Sequence, residues 1–205
     1  MNERIKQALI DLKNGKPVIV VDDPTREWEG DIVLAAETAT KESLIFTMNY
    51  AKGLMCLPMT GEILDRLEVP MMVTHSTDPL ETPFTVSVDG INTGTGMSVS
   101  DRMDTINVFL DDNSKPSDLK RPGHLFPLRA KPGLLKERQG HTETSVELAK
   151  LCGLKPIAII CEIMNDDGTM KKGEQLELYA KVFNLTFISV EEVYEAVYNT
   201  KFVKV

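Results

Sequence analysis

The stretch Asp22 to Asp31, DDPTREWEGD, is the most chemically loaded part of the chain: Asp22, Asp23, Glu27, Glu29 and Asp31 crowd around a single local cation, Arg26. Carboxylates this close raise one another's pKa unless a cation joins them, so the stretch asks for a metal or a cationic partner. Taken alone, such a run reads most simply as a solvated acidic loop. Two of the three histidines stand in matching settings, Pro122-Gly123-His124 and Gln139-Gly140-His141, each behind a glycine that lets the backbone come close to a site. Glu162 lies near the end of an otherwise apolar run, PIAIICEI, where a carboxylate must be paired, metal-bound or protonated. A structural salt bridge and an acid/base role both satisfy that requirement.

Carboxylate oxygens with one histidine, and no cysteine at ligand spacing, suit magnesium or manganese better than zinc. Beside a hydroxy-ketone such an ion polarises the carbonyl and stabilises an enediolate without an organic cofactor. A phosphate would need Arg138, Arg26 or Arg102, helped by backbone amides around 93–101 and 140–142. The glycine-threonine stretch 92–98 precedes a helix, but Val99 occupies the third glycine position of a GxGxxG pattern, so a turn with a helix cap is its simpler reading. The residues by themselves point to a metal-dependent enzyme acting on a small phosphorylated carbonyl compound.

These groups must be positioned by the elements around them. Apolar spacing predicts helices over 3–13, from a Thr40 cap to Ala51, over 60–67, 100–110, 143–151 capped by Thr142, 173–183, and 190–198 capped by Ser189. Strands are expected at 18–21, 32–36, 54–59, 84–88, 156–163 and 185–188, with 73–82 and 111–123 as polar connections. The acidic stretch then joins the first two strands. Interleaved helices and strands give a layered, mixed α and β fold with a mostly central sheet.

The 205 residues, 42% hydrophobic, fit one domain. A net charge of −8, without a lysine or arginine cluster, argues against nucleic acid and anionic membranes as partners. No apolar stretch has the length of a membrane span, and the N-terminus reads as an amphipathic helix lacking a signal-peptide core, so a cytoplasmic location is expected. Cys56, Cys152 and Cys161 form no CxxC pair; buried thiols are expected, with neither a disulfide framework nor a zinc site.

Several blocks together resemble a known family. Asp22-Asp23 with REWEGD at 26–31, FTVSVD at 84–89, Asp101-Arg102 with Thr105-Ile106, RPGHLFPLRA at 121–130, RQGHTET at 138–144 and CEIMNDDGTM at 161–170 occur in the order found in 3,4-dihydroxy-2-butanone-4-phosphate synthases of riboflavin biosynthesis. The resemblance implies a lyase of three-layer α+β fold, with a mixed central sheet flanked by helices in a single domain over 1–205. It implies conversion of D-ribulose 5-phosphate to L-3,4-dihydroxy-2-butanone 4-phosphate and formate, through a metal-stabilised enediolate and a skeletal rearrangement. Two magnesium or manganese ions per site and a cytoplasmic homodimer with sites near the interface are also implied.

Carried over by motif, Glu27 and His141 would hold the metals. Arg26, Glu27, Asp31, Arg138, Gln139, Gly140, His141, Thr142 and Glu162 would meet the sugar phosphate. His124 and Glu162 match positions essential to catalysis, and Asp22 joins them as an acid/base candidate. Trp28 departs from the asparagine usual between the two glutamates, and Pro24-Thr25 replaces a more acidic pair. The GTP cyclohydrolase II domain often attached to the family has no counterpart in the sequence, so a monofunctional enzyme is expected. The competing reading is an inactive phosphate- or nucleotide-binding relative of the same fold; such a relative would have lost Glu162, His124 or Glu27, and all three are present.

Overall fold

The computed structural model describes residues 1–199. Seven strands form one mixed sheet: β1 Val18–Val21, β2 Gly30–Ala35, β3 Cys56–Met59, β4 Val88–Gly90, β5 Leu119–Arg129, β6 Ala158–Glu162 and β7 Thr186–Ser189, in the spatial order β4-β5-β3-β6-β2-β1-β7. The pairs β1·β7 and β3·β5 are parallel, and the other neighbours are antiparallel. The helices are α1 Glu3–Lys13, α2 Lys41–Tyr50, α3 Gly61–Arg66, α4 Val99–Leu110, α5 His141–Leu151, α6 Glu174–Phe183 and α7 Val190–Tyr194, the last continuing as a π-helical turn over Glu195–Asn199.

Strand alternation sorts the core into layers. Val18, Val20, Val33, Ala35 and Ile160 pack with Ile5 and Leu12 of α1, Leu148 of α5 and Val193 of α7. Neighbouring residues of the same strands point the other way: Leu34, Leu57 and Ile159 meet Leu44 of α2, Leu64 of α3 and Phe109 of α4, while Ile19, Ile32 and Cys161 meet Leu176 and Ala180 of α6. The result is the three-layer α+β arrangement expected, with both faces of the sheet covered. Thr40 and Ser189 cap α2 and α7 as the sequence predicts, and the structure adds Ser43 and Glu192, which complete a capping box on each. All three cysteines are buried and unpaired. Among the described residues no helix is long and apolar enough to cross a membrane.

Three expectations are corrected. Residues 119–123, expected in a polar connection, begin β5, which pairs with the short β4 at its far end. Of residues 84–88, expected as a strand, 84–87 make only isolated pairings, Phe84 with Leu128 and Thr85 with Met71, and β4 begins at Val88. Helix α5 starts at His141 with Gly140 as its cap residue and no side-chain cap, so Thr142 lies inside the first turn.

Candidate active site

Strands β1 and β2 pair Val21 with Gly30, so residues 22–29 form the connection at the end of a hairpin whose strands are both buried. The turn folds around Asp22, whose side chain is fully buried and accepts from Arg26 Nη1 at 2.7 Å, Glu29 N at 2.9 Å and Glu27 N at 3.3 Å. Arg26 Nη1 also bonds Glu27 Oε2, so one guanidinium bridges two carboxylates. Burial works against its charge, but Asp22 and Glu27 outweigh burial and hold Arg26 above its ordinary value. Trp28 has φ of 57°, the left-handed region that suits asparagine better than a bulky residue, at a cost of order 1–3 kcal/mol.

Three elements bring further groups to this turn. The N-terminus of α5 presents His141, buried to 8% exposure, with Nε2 fully covered and lacking a hydrogen-bond partner. Burial lowers its pKa, Arg26 adds to that, and Asp22, Glu27 and Glu162 pull the other way; the net effect favours the neutral imidazole that a cation can use. Asp31 of β2 lies directly opposite Glu162 of β6. Burial first, then the neighbouring Glu162, Glu27, Asp22 and Glu29, push Asp31 well above the usual carboxylate range, and its Oδ1 is likewise buried without a partner. Glu162 is held from the far side: Leu54 N donates to its Oε2 at 2.8 Å and Gly53 N to its carbonyl at 3.1 Å. A Cβ at Gly53 would sit 2.4 Å from that Oε2, so glycine is required for the approach rather than for ending α2.

Arg26, Glu27, Glu29, Asp31, Arg138, His141, Thr142 and Glu162 line one cleft of about 100 Å³, together with Thr82, Phe84, Cys56, Leu128 and Ile160. Asp22, Glu27 and His141 each offer a ligand atom, and these atoms lie within 4.8 Å of one another. An unpartnered buried imidazole nitrogen facing two carboxylates is a donor set that fits a hard divalent cation. Arg138 closes the rim by donating to Leu80 O at 3.1 and 3.2 Å and to Glu143 at 2.7 Å, which ties the 73–82 loop to α5. Cys56 reaches the cleft as a buried thiol that burial, then Glu162 and Asp31, push upward, away from nucleophilic use.

Other candidates fall elsewhere. Gln139 lines a neighbouring, larger cleft with Asp22, Asp23 and Trp28. His124 lies on β5 with its side chain 46% exposed, held by Asp89 at 2.7 Å from Nδ1 and 2.9 Å from the backbone NH; it does not line the cleft of its own chain. Gly123 makes that arrangement possible, since a Cβ there would meet the backbone of Val88 and Asp89 at 2.0–2.2 Å. The amides of Gly94 and Gly96 are satisfied by Asp101, and Ser98 caps α4, so the glycine-threonine stretch is the turn and cap anticipated. Arg102 is buried and donates to the carbonyls of Met97 and His124, a structural commitment. Sequence reasoning missed Thr82 and Asp89; the terminal aspartate of FTVSVD was the one available signal for Asp89.

The family described as 3,4-dihydroxy-2-butanone 4-phosphate synthase matches residues 6–196. A protein of that name from Serratia proteamaculans is 45% identical over 192 residues, covering 93% of this chain and 88% of the relative. The riboflavin biosynthesis protein RibBA of Bacillus mycoides is 49% identical over 193 residues, and the chain spans only 49% of that relative's length. A crystal structure of a 3,4-dihydroxy-2-butanone 4-phosphate synthase in complex with two magnesium ions superposes with a TM-score of 0.90 at 38% identity, covering 96% of this chain and 97% of that one. The cleft built from the acidic turn, α5 and β6 is thus set in a fold and sequence shared along almost the whole chain, and the chain belongs to the 3,4-dihydroxy-2-butanone 4-phosphate synthase family.

Proposed function

We propose that this cleft converts D-ribulose 5-phosphate to L-3,4-dihydroxy-2-butanone 4-phosphate and formate, with Glu27 and His141, joined by Asp22, holding divalent cations. The observation that carries the reading is the covered, unpartnered Nε2 of His141 set against Asp22 and Glu27 in the cleft that Glu162 lines. When bound, magnesium or manganese supplies Lewis-acid stabilisation of negative charge on the substrate's oxygens. The protein's own groups do the rest. Glu162, fixed by the Gly53 and Leu54 amides, exchanges protons with the sugar carbons. Arg26 keeps the acidic turn compact and offers positive charge to the substrate, and Asp31 provides the wall beside Glu162. Arg138 and Thr142, with the amides of Gln139, Gly140 and the first turn of α5, receive the phosphate, because a helix N-terminus presents free NH groups and positive potential.

His124 enters this reading as a group supplied across a homodimer interface. Its exposure away from its own cleft and its orientation by Asp89 support that, as do the exposed apolar residues Met71, Met72, Val73 and Met97. The proposal extends to a single domain over 1–205, one activity per chain and a cytoplasmic location. Incubated with ribulose 5-phosphate and magnesium, the protein should release formate and stop on addition of EDTA, and it should sediment at twice the 22.8 kDa of one chain. No formate under turnover conditions would reject the reaction; a monomeric mass in active enzyme would reject the shared site.

A further inference from the structure

The outer side of the acidic turn is braced by the segment that leads into α6. Lys172 Nζ donates to the carbonyl of Glu27 at 2.9 Å and pairs with Glu29 Oε1 at 3.2 Å, while the backbones of Glu29 and Lys172 form an isolated antiparallel bridge. The next residue, Gly173, has φ of 50° and lies against the indole of Trp28; a Cβ there would sit 2.4 Å from Cζ2 and 2.8 Å from Cε2. Neither Lys172 nor Gly173 lines the cleft that Glu27 faces. The turn carries five carboxylates between Asp22 and Asp31, which repel one another. Arg26 draws two of them together from within, and Lys172 acts from outside at the carbonyl of the residue whose side chain faces His141.

We propose that Lys172 and Gly173 are positioning residues for the cation ligand Glu27: the ammonium fixes the Glu27 carbonyl and the Glu29 carboxylate, and the missing side chain of Gly173 makes room for the Trp28 ring to pin the turn. The inference rests on Glu27 being a ligand, as argued above. It explains how a left-handed Trp28 is accommodated where the family resemblance leads one to expect asparagine. The ring gains a backbone surface to lie on, which offsets the strain of its own conformation.

The test is a Mn²⁺ titration of the full-length protein, read by the EPR signal of the free ion. Lys172→Met should weaken binding about 10-fold, as loss of an outer-shell partner does, and Lys172→Arg should restore it to within about threefold. At saturating magnesium the kcat of Lys172→Met should be retained while the magnesium concentration for half-maximal rate rises. Gly173→Ala should weaken Mn²⁺ binding and move the emission of Trp28, the sole tryptophan, to longer wavelength as the ring leaves its seat. Glu27→Gln separates the two levels of argument. If it weakens binding while Lys172→Met binds as the unaltered protein does, the bracing role is wrong and the ligand stands; if Glu27→Gln also leaves binding unchanged, both are wrong.

Discussion

Replacing Glu162 by glutamine is expected to slow formate release by about 10²- to 10⁴-fold, the span associated with loss of a positioned acid/base group. Glutamine retains the size of the side chain, and its amide oxygen can accept the Leu54 NH that now reaches Oε2. The cross-strand pairing of residue 162 with Asp31 is a backbone matter and survives the change. What is lost is the ability to gain and release a proton beside the substrate. The expected pattern is therefore a folded protein that binds metal and substrate and turns over very slowly. Gly53→Ala approaches the same residue from behind, since its methyl would displace Oε2 and press on the Glu162 carbonyl; kcat should fall with little change in metal binding. Rapid turnover by Glu162→Gln at saturating substrate and metal would remove Glu162 from the chemistry.

Substituting His141 by glutamine should have its largest effect on the cation. The imidazole is buried, kept neutral chiefly by that burial, and its covered Nε2 has no protein partner to lose. A ligand itself should cost more than the roughly 10- to 100-fold typical of outer-shell groups, so millimolar magnesium should no longer saturate the variant. A calorimetric comparison makes this visible without turnover. Magnesium at 100 times its dissociation constant stabilises a folded protein by about 2.7 kcal/mol, so the unaltered enzyme should melt several degrees higher in magnesium than in EDTA. His141→Gln should melt at one temperature in both. A midpoint that still rises with magnesium would place the cation elsewhere.

Much of the scaffold was legible because it is periodic. The buried runs at 18–21 and 156–163, the α1 stripe and the Thr40 and Ser189 caps are local statements of burial and capping, and the structure repeats them. What the sequence hid depends on pairing between distant segments. Residues 119–123 read as a connection because lysine, arginine, proline and glycine dominate them, yet they are a strand through their pairing with β4 at the sheet edge, where such residues are tolerated. The contrast between His124 and His141 has the same origin. Identical glycine-histidine settings serve a β4 approach in one case and a helix start facing the acidic turn in the other. The roles of individual side chains came from the family resemblance; the residue types and their settings alone reached only a metal-dependent enzyme on a phosphorylated carbonyl compound. Lys172 was invisible, since nothing near it in sequence suggests a bond to Glu27, 145 residues away.

The order β4-β5-β3-β6-β2-β1-β7 also sets when the molecule can be born. Strands β2 and β3 are not neighbours; they are joined only through β6, whose opposite edges they flank and which begins at Ala158. During synthesis the β1–β2 hairpin and the β3–β5 pair must therefore wait, with open edges, for a strand made three-quarters of the way along the chain. Until it arrives the β2 and β3 edges stay unpaired, and open edges favour association with other chains, so ribosome-bound chaperones have their greatest purchase on the nascent protein in that interval. The same late strand ends in Glu162, so joining the two halves of the sheet and bringing Glu162 to the cleft are one event in its folding.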